Sequence, residues 1–244
     1  MKTIARLLPG IAVLVGAPAL SFARASTGLD LGSLTHSAGS VPWNILVLLT
    51  VLTLVPAIVL SMTPFVRLLV VFHFLRQALG TQTTPTNQTL IGLSLILTFF
   101  IMQPVGAAIH DAAIVPWEMG QTDAMGALDR SAVPVRRFML KYSREKDLAL
   151  FLDLAKEPRP SRPDDLPMRV VLPAYLISEL KSGFQIGAAL YLPFLVVDMA
   201  VAAVTTSVGM LQLPPVVIST PLKILLFVMV DGWNLLVGSL MKSF

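Results

Sequence analysis

The fold is decided by two apolar runs near the end of the sequence. Residues 186–210 read IGAALYLPFLVVDMAVAAVTTSVGM, and residues 216–240 read VVISTPLKILLFVMVDGWNLLVGSL. A tight turn, QLPP, lies between them at 212–215. Each run is long enough to cross a bilayer as a helix, which takes about 20 apolar residues. Together they predict an apolar helical hairpin over residues 173–244, with Pro173 at its start.

A second pair of apolar runs lies earlier in the chain. Trp43 to Met62 and Leu90 to Ile109 are stretches of 20 residues without a charge. A polar turn, GTQTTPTNQ at 80–88, precedes the second of them. We therefore predict a first apolar helical hairpin over residues 43–109.

The composition as a whole excludes a soluble globular protein. The hydrophobic share is 55% and the charged share 13%, against about 25% charged in an ordinary soluble domain. The mean hydropathy is +0.78. A soluble protein of this size could not bury so much apolar surface. The predicted fold class is therefore all-α, as a helical, membrane-associated protein.

The segment between the two hairpins has a different composition. Residues 110–169 hold 10 basic and 10 acidic residues, whereas the other 184 positions hold 12 charges. Apolar residues recur at helical spacing after Pro134 and again after Leu148, which predicts two amphipathic helices. Their apolar faces are expected to pack against each other or against a neighbouring subunit. We predict a polar insert over 110–172 that lies outside the cytoplasm.

Residues 1–25 have the pattern of a secretory signal peptide. Lys2 and Arg6 open it, an apolar run of 16 residues follows, and the small residues of Ala-Arg-Ala suit a signal peptidase. We expect cleavage after Ala25 and a flexible lead-in over 26–42 that is rich in Ser, Gly and Thr. The alternative is a retained membrane helix, for which the apolar run is short.

The charges and motifs of the sequence argue against several classes of function. The net charge is +4, but without the first 25 residues 15 basic and 14 acidic residues remain, so no nucleic-acid partner is expected. There is no cysteine, the three histidines lie far apart, and nucleotide-binding and hydrolase motifs are absent from the sequence. We expect no metal, no cofactor and no enzymatic activity.

Three ionisable residues interrupt the second hairpin: Asp198, Lys223 and Asp231. Charged groups in apolar helices usually mark function, so a small-solute or ion-coupled membrane transporter is one interpretation. In a hairpin that turns near Gln212, Asp198 lies opposite residue 227, which is about 6 Å along the helix from Lys223. We therefore predict a buried charge pair between Asp198 and Lys223. Asp231 is the competing partner, and the pair can also form between subunits.

Three longer stretches resemble the FliP family of type III secretion export-gate proteins. They are LLVVFHFLRQALGTQTTPTNQ (68–88), PAYLISELKSGFQIG (173–187) with PFLVVDM (193–199), and LPPVVISTPLKILLFVMVDGWN (213–234). The resemblance covers about residues 43–244. The signal peptide and the motif GTQTTP favour the flagellar branch of the family over its injectisome counterpart.

The resemblance implies an export-gate subunit rather than an enzyme. Family members form a homopentamer and join FliQ, FliR, FlhB and other export-apparatus proteins at the flagellar basal body, in the bacterial inner membrane. Unfolded flagellar export substrates pass through the centre of that assembly. The proton gradient and a separate ATPase supply the energy, so no cofactor is implied. Much of the apolar hairpins packs against other subunits, and Gly183 and Gly187 are spaced for such close packing or for packing within the chain.

The resemblance also implies a channel gasket at the turn 208–215. In the family, methionine-rich loops from the five copies close the channel, and methionine suits this task because its chain is flexible and polarizable. Here Met210 is followed by Leu211 and Gln212. We expect Met210 and Leu211 to face the channel axis and Gln212 to point away, because a ring of amides would hold water.

Overall fold

The computed structural model describes residues 41–81, 83–156, 162–209 and 214–244. The predicted signal peptide with its cleavage site at Ala25, most of the lead-in, and the predicted gasket residues Met210 and Leu211 lie outside the described residues. Every described element is helical, which confirms the predicted all-α class. The α-helices are α1 Val41–Ser61, α2 Phe65–Ala78, α3 Asn87–Ile109, α4 Val115–Glu118, α5 Ala124–Tyr142, α6 Glu145–Ala155, α7 Met168–Ser207, α8 Pro215–Met229 and α9 Gly232–Lys242.

The chain divides into two compact units, Met1–Leu54 and Val55–Phe244. In the first unit the structure describes residues 41–54, a helical stretch whose large apolar side chains are exposed. The second unit holds the hydrophobic core. Its centre is α2, where every third or fourth residue is fully buried: Leu68, Val71, Phe72, Leu75 and Ala78.

Helix α2 packs mainly against the first half of α7, and two glycines allow the close approach. A Cβ atom on Gly183 would lie 3.1 Å from Val70 Cγ1, and one on Gly187 would lie 2.5 Å from the ring of Phe74. The small-residue spacing therefore serves packing within the chain, which was one of the two predicted uses.

Substitution of Gly187 by alanine is expected to destabilise the protein. The new Cβ would meet Phe74 Cγ at 2.5 Å and Phe74 Cβ at 2.8 Å, which are atoms near the root of the side chain. Overpacking of this kind costs about 1–3 kcal/mol, measurable by thermal unfolding in detergent. Gly92→Ala in α3 is the matched control, because nothing lies within 4 Å of its Cβ. Equal stability of the two variants would contradict the close approach.

The long helix α7 begins earlier than predicted. It starts at Met168, after the extended residue Pro167, and Pro173 lies inside it rather than at its start. An internal proline removes one helical hydrogen bond, but Val170 and Val171 before it and Ala174 after it are fully buried, and their burial favours the helix. In the same way, α5 begins at Ala124, capped by Asp123, and includes Pro134.

The insert helices do not pack chiefly on each other. Both α5 and α6 lie against α7, and α5 also contacts α3. Phe138, Met139 and Leu152 are the buried apolar residues of the two helices. Within the described residues, the buried side chains of both helices therefore pack on α7 and not on the sister helix, which was the expected partner within the chain. Helix α7 has 40 residues and is about 60 Å long. The insert helices therefore pack on one part of it, and the rest extends beyond them.

Several helices are long and apolar enough to cross a membrane. By length and composition, the described residues contain two such helices, Asn87–Glu118 and Met168–Ser207. The first is α3 continued through a π-helical turn at His110–Ile114 into α4. The number rises to four if each of two bent pairs, α1 with α2 and α8 with α9, is counted as one span.

Candidate functional site

The structure brings Asp198 and Lys223 together within one chain. Asp198 lies on α7 and Lys223 on α8, and these two helices pack against each other. The Lys223 ammonium contacts Asp198 Oδ2, and the Ser219 hydroxyl donates a hydrogen bond to Asp198 Oδ1 at 2.6 Å. The side chain of Lys223 is 3% exposed and that of Asp198 is 27% exposed. Both carboxylate oxygens of Asp198 are thus satisfied by α8.

The sequence of α8 explains this placement. Ser219, Lys223 and Phe227 follow each other at intervals of four, so they share one helix face, and all three are buried. The remaining large side chains of α8 are apolar and exposed, so this stripe is the face turned toward α7. Asp231 is not part of the site. It is exposed at the bend between α8 and α9 and accepts a hydrogen bond from Asn234 Nδ2 at 3.1 Å.

A cavity of about 890 Å³ borders the pair. Arg76, Gln77 and Thr81, at the end of α2 and just beyond it, line the cavity together with Asp198 and Lys223. The Arg76 guanidinium donates hydrogen bonds to Asn87 Oδ1 at 2.6 Å and to the Pro85 carbonyl at 3.4 Å. This arrangement holds fixed charges beside a space large enough for water. The described residues contain no cluster of ligands that could hold a metal ion.

A second buried ion pair was missed by the sequence analysis. Arg67 Nη2 lies 2.5 Å from Glu179 Oε1, and the two side chains are 6% and 0% exposed. The Arg67 guanidinium also stacks over the ring of Phe244, 4.0 Å from its centroid, and Nη1 donates to Ser243 Oγ at 3.3 Å. The pair therefore ties α2, α7 and the end of α9 together. The available signal was Glu179 itself, the one acid between Asp165 and Asp198 in the sequence.

The insert is fixed to α7 by a third charged cluster, which the sequence analysis also missed. Asp147 of α6 is buried and accepts hydrogen bonds from Ser178 Oγ at 2.8 Å and from the Lys181 ammonium. The backbone N–H of Arg144 donates to the same Ser178 hydroxyl at 2.9 Å. Burial raises the pKa of the Asp147 carboxyl, but the bonds from Lys181 and Ser178 outweigh it, so the net pKa lies below the ordinary value.

The depressed pKa of Asp147 predicts an acid-sensitive attachment of α6. A carboxyl with a lowered folded-state pKa stabilises the fold above its unfolded pKa of about 3.9 and loses this effect as the pH falls through the folded pKa. Asp147→Asn should therefore cost about 1–3 kcal/mol at pH 7, and the gap to wild type should close below about pH 4. Thermal unfolding in detergent between pH 3 and 7 measures this. A gap that does not change with pH would contradict the ionised hydrogen bonds.

A profile described as the FliP family matches residues 48–240. The chain belongs to the FliP family. The match includes α2, the paired charges of α7 and α8, and all but the last residues of α9. It confirms the resemblance found in the three sequence stretches.

Individual FliP relatives are similar over most of the chain. The flagellar biosynthetic protein FliP of Pectobacterium carotovorum subsp. carotovorum is 52% identical over 199 residues, which are 82% of this chain and 77% of the relative. The FliP of Bacillus subtilis strain 168 is 48% identical over 201 residues, 82% of this chain and 91% of the relative. The FliP of Caulobacter vibrioides is 44% identical over 227 residues, 93% of this chain and 85% of the relative.

Proposed function

We propose that the chain is a subunit of the flagellar type III protein export gate, and that with its partners it forms the channel through which unfolded flagellar proteins leave the cell. The observation that carries the proposal is membership of a family of flagellar biosynthetic proteins over residues 48–240. The proposed location is the flagellar basal body in the inner membrane, with the charged insert outside the cytoplasm. No catalytic step and no cofactor belong to this role.

The exposed apolar surface supports a role inside a larger assembly. Large apolar side chains are more than half exposed along α8 and its bend into α9, including Val217, Leu225, Val228 and Met229. Soluble monomers rarely expose contiguous apolar surface of this kind, which marks contacts with proteins or lipid. In the proposed assembly these faces contact other copies in a homopentamer or the partners FliQ, FliR and FlhB.

The Asp198–Lys223 pair has a structural role in this proposal. It fixes the register of α8 against α7, and the segment of sequence between the two helices contains Met210 and Leu211. A fixed register would hold the five turns at one height around the channel axis. We propose that Met210 and Leu211 then form the gasket that closes the channel to ions.

The gasket proposal predicts a leak. Substituting both Met210 and Leu211 by alanine should let small ions cross the inner membrane, because the shorter side chains leave the constriction open. Membrane potential measured in cells with a voltage-sensitive dye reports the leak, and purification of the complex reports assembly. The matched control is Met125→Ala with Leu128→Ala, which shortens two exposed side chains of α5 in the insert. A variant complex that assembles and keeps the membrane tight would place the gasket elsewhere.

The cavity beside Asp198 keeps the small-solute or ion-coupled transporter as the second candidate. Affinity purification of the full chain from its source bacterium distinguishes the two. An export-gate subunit should bring FliQ and FliR with it, and native mass spectrometry should give five copies of the chain per complex. Purification of the chain alone, together with saturable binding of a small solute, would favour the transporter and overturn the gate.

A further inference from the structure

Arg76, near the end of α2, carries a charge that no carboxylate balances within the described residues. Its guanidinium donates to the Asn87 amide oxygen at 2.6 Å and to the Pro85 carbonyl at 3.4 Å, and it lies 3.1 Å from His73 Nδ1. None of these groups is negatively charged, and the ion pairs between described side chains involve other residues. The cavity of about 890 Å³ that Arg76 lines therefore has one unbalanced positive charge, because the other two ions in its wall pair with each other.

The bend between α8 and α9 carries the opposite charge. Asp231 is exposed there and accepts one hydrogen bond, from the Asn234 amide. It belongs to none of the ion pairs between described side chains. The two helices meet at 65°, and Met229 and Val230, which precede Asp231, are at least half exposed. The bend is thus a projecting, mainly apolar corner with one carboxylate.

The corner and the cavity lie at the same level along α7. Three α7 residues between 188 and 192 line the cavity together with Arg76. The contacts of α8 show that it runs antiparallel to α7, with the rings of Phe227 and Phe194 6.4 Å apart. Asp231 is four residues beyond Phe227, or about 6 Å along a helix, which places it near residue 190 of α7. In a ring of copies around an axis along α7, equal levels allow the corner of one copy to meet the cavity of the next.

A projecting corner and a cavity of opposite charge on one chain fit a head-to-tail contact between copies, which closes a ring when it repeats. Exposed apolar side chains border both parts, with Leu192 and Val216 at the cavity and Met229 at the corner. An anionic solute in the cavity would leave this apolar rim in water. We propose, on the basis of the homopentamer in the proposed function, that the α8–α9 corner of one copy lies in the cavity of the next, with Asp231 against Arg76. Since exposed ion pairs contribute little affinity, the pair orients the copies and the apolar contacts hold them.

Disulfide cross-linking in this cysteine-free chain tests the contact. Arg76→Cys with Asp231→Cys, in the full chain expressed with its export-apparatus partners, should link copies under mild oxidation and give a ladder up to the pentamer on a non-reducing gel. Each single-cysteine variant should remain unlinked. The matched control is Arg76→Cys with Lys242→Cys, which moves the second cysteine about 16 Å along α9 and should give no ladder.

Charge reversal provides a second measurement. Arg76→Glu should lower the yield of the pentamer by on the order of tenfold, because two carboxylates would then face each other. Arg76→Glu with Asp231→Lys restores opposite charges and should restore the yield. Asp231→Asn keeps an oxygen that can accept from Arg76, so it should still assemble.

The results separate the contact from the proposed function. A disulfide within one chain, a pentamer without cross-links, or a charge swap that does not restore the yield would overturn the contact, while the pentamer and its co-purified FliQ and FliR would still support the gate. If the wild-type chain forms no pentamer, the contact and the gate are both overturned.

Discussion

Asp198→Ala is expected to prevent assembly of the complex and to abolish swimming. The substitution strands the Lys223 ammonium, which is 3% exposed, and breaking a buried pair by removing one partner costs about 3–5 kcal/mol. It also removes the acceptor of the Ser219 hydroxyl. Yield of the purified complex, thermal unfolding in detergent and swimming on soft agar measure the effect. Asp231→Asn is the matched control, because this carboxylate is exposed in the same hairpin.

The double variant Asp198→Ala with Lys223→Ala tests the coupling. Removal of both charges leaves no stranded ion, so stability and assembly should recover in part relative to Asp198→Ala alone. If the two losses simply add, the charges act independently and the pair does not fix the register of α8.

Glu179→Ala is expected to destabilise the core by a similar amount. Arg67 would keep its contacts with Ser243 and the ring of Phe244, but its buried charge would lose its carboxylate, at a cost of about 3–5 kcal/mol. Glu179→Gln should cost less, because the amide oxygen still accepts the hydrogen bond. Thermal unfolding in detergent ranks the variants, with Glu145→Ala as the exposed control on α6.

Replacing both members of this pair distinguishes charge from packing. Arg67→Met with Glu179→Met fills similar volume without charge, and such replacements are often neutral or stabilising. Recovery of stability in the double variant would show that Glu179→Ala loses stability because the Arg67 charge is stranded. A double variant as unstable as Glu179→Ala would indicate that shape, rather than charge pairing, governs this part of the core.

The sequence was sufficient for features that depend on local pattern. Two apolar runs joined by the short sequence at 212–215 predict antiparallel helices, and a turn near Gln212 sets which residues lie opposite each other. That register predicts that Asp198 lies near Lys223, and the structure has them in contact. The helical class followed for the same reason, because runs of about 20 apolar residues have few alternatives to a helix.

Features that depend on long-range packing could not be predicted. Arg67 and Glu179 are 112 residues apart in the chain, and their contact requires α2 to lie on the first half of α7. Proline favours the first turn of a helix, so the sequence predicts a helix start at Pro173, but the structure has Pro173 inside α7, between buried neighbours. The amphipathic faces of α5 and α6 were visible in the sequence, yet nothing local indicates that they pack on α7.

The central claim is that this chain is required for flagellar protein export, and secretion by a deletion strain tests it most directly. Filament and hook subunits in the culture medium would be quantified by immunoblot after deletion of the gene. Subunits should be absent from the medium but present in the cells, and a plasmid copy should restore secretion, whereas a copy with Asp198→Ala should not. Normal secretion and swimming in the deletion strain would contradict the account.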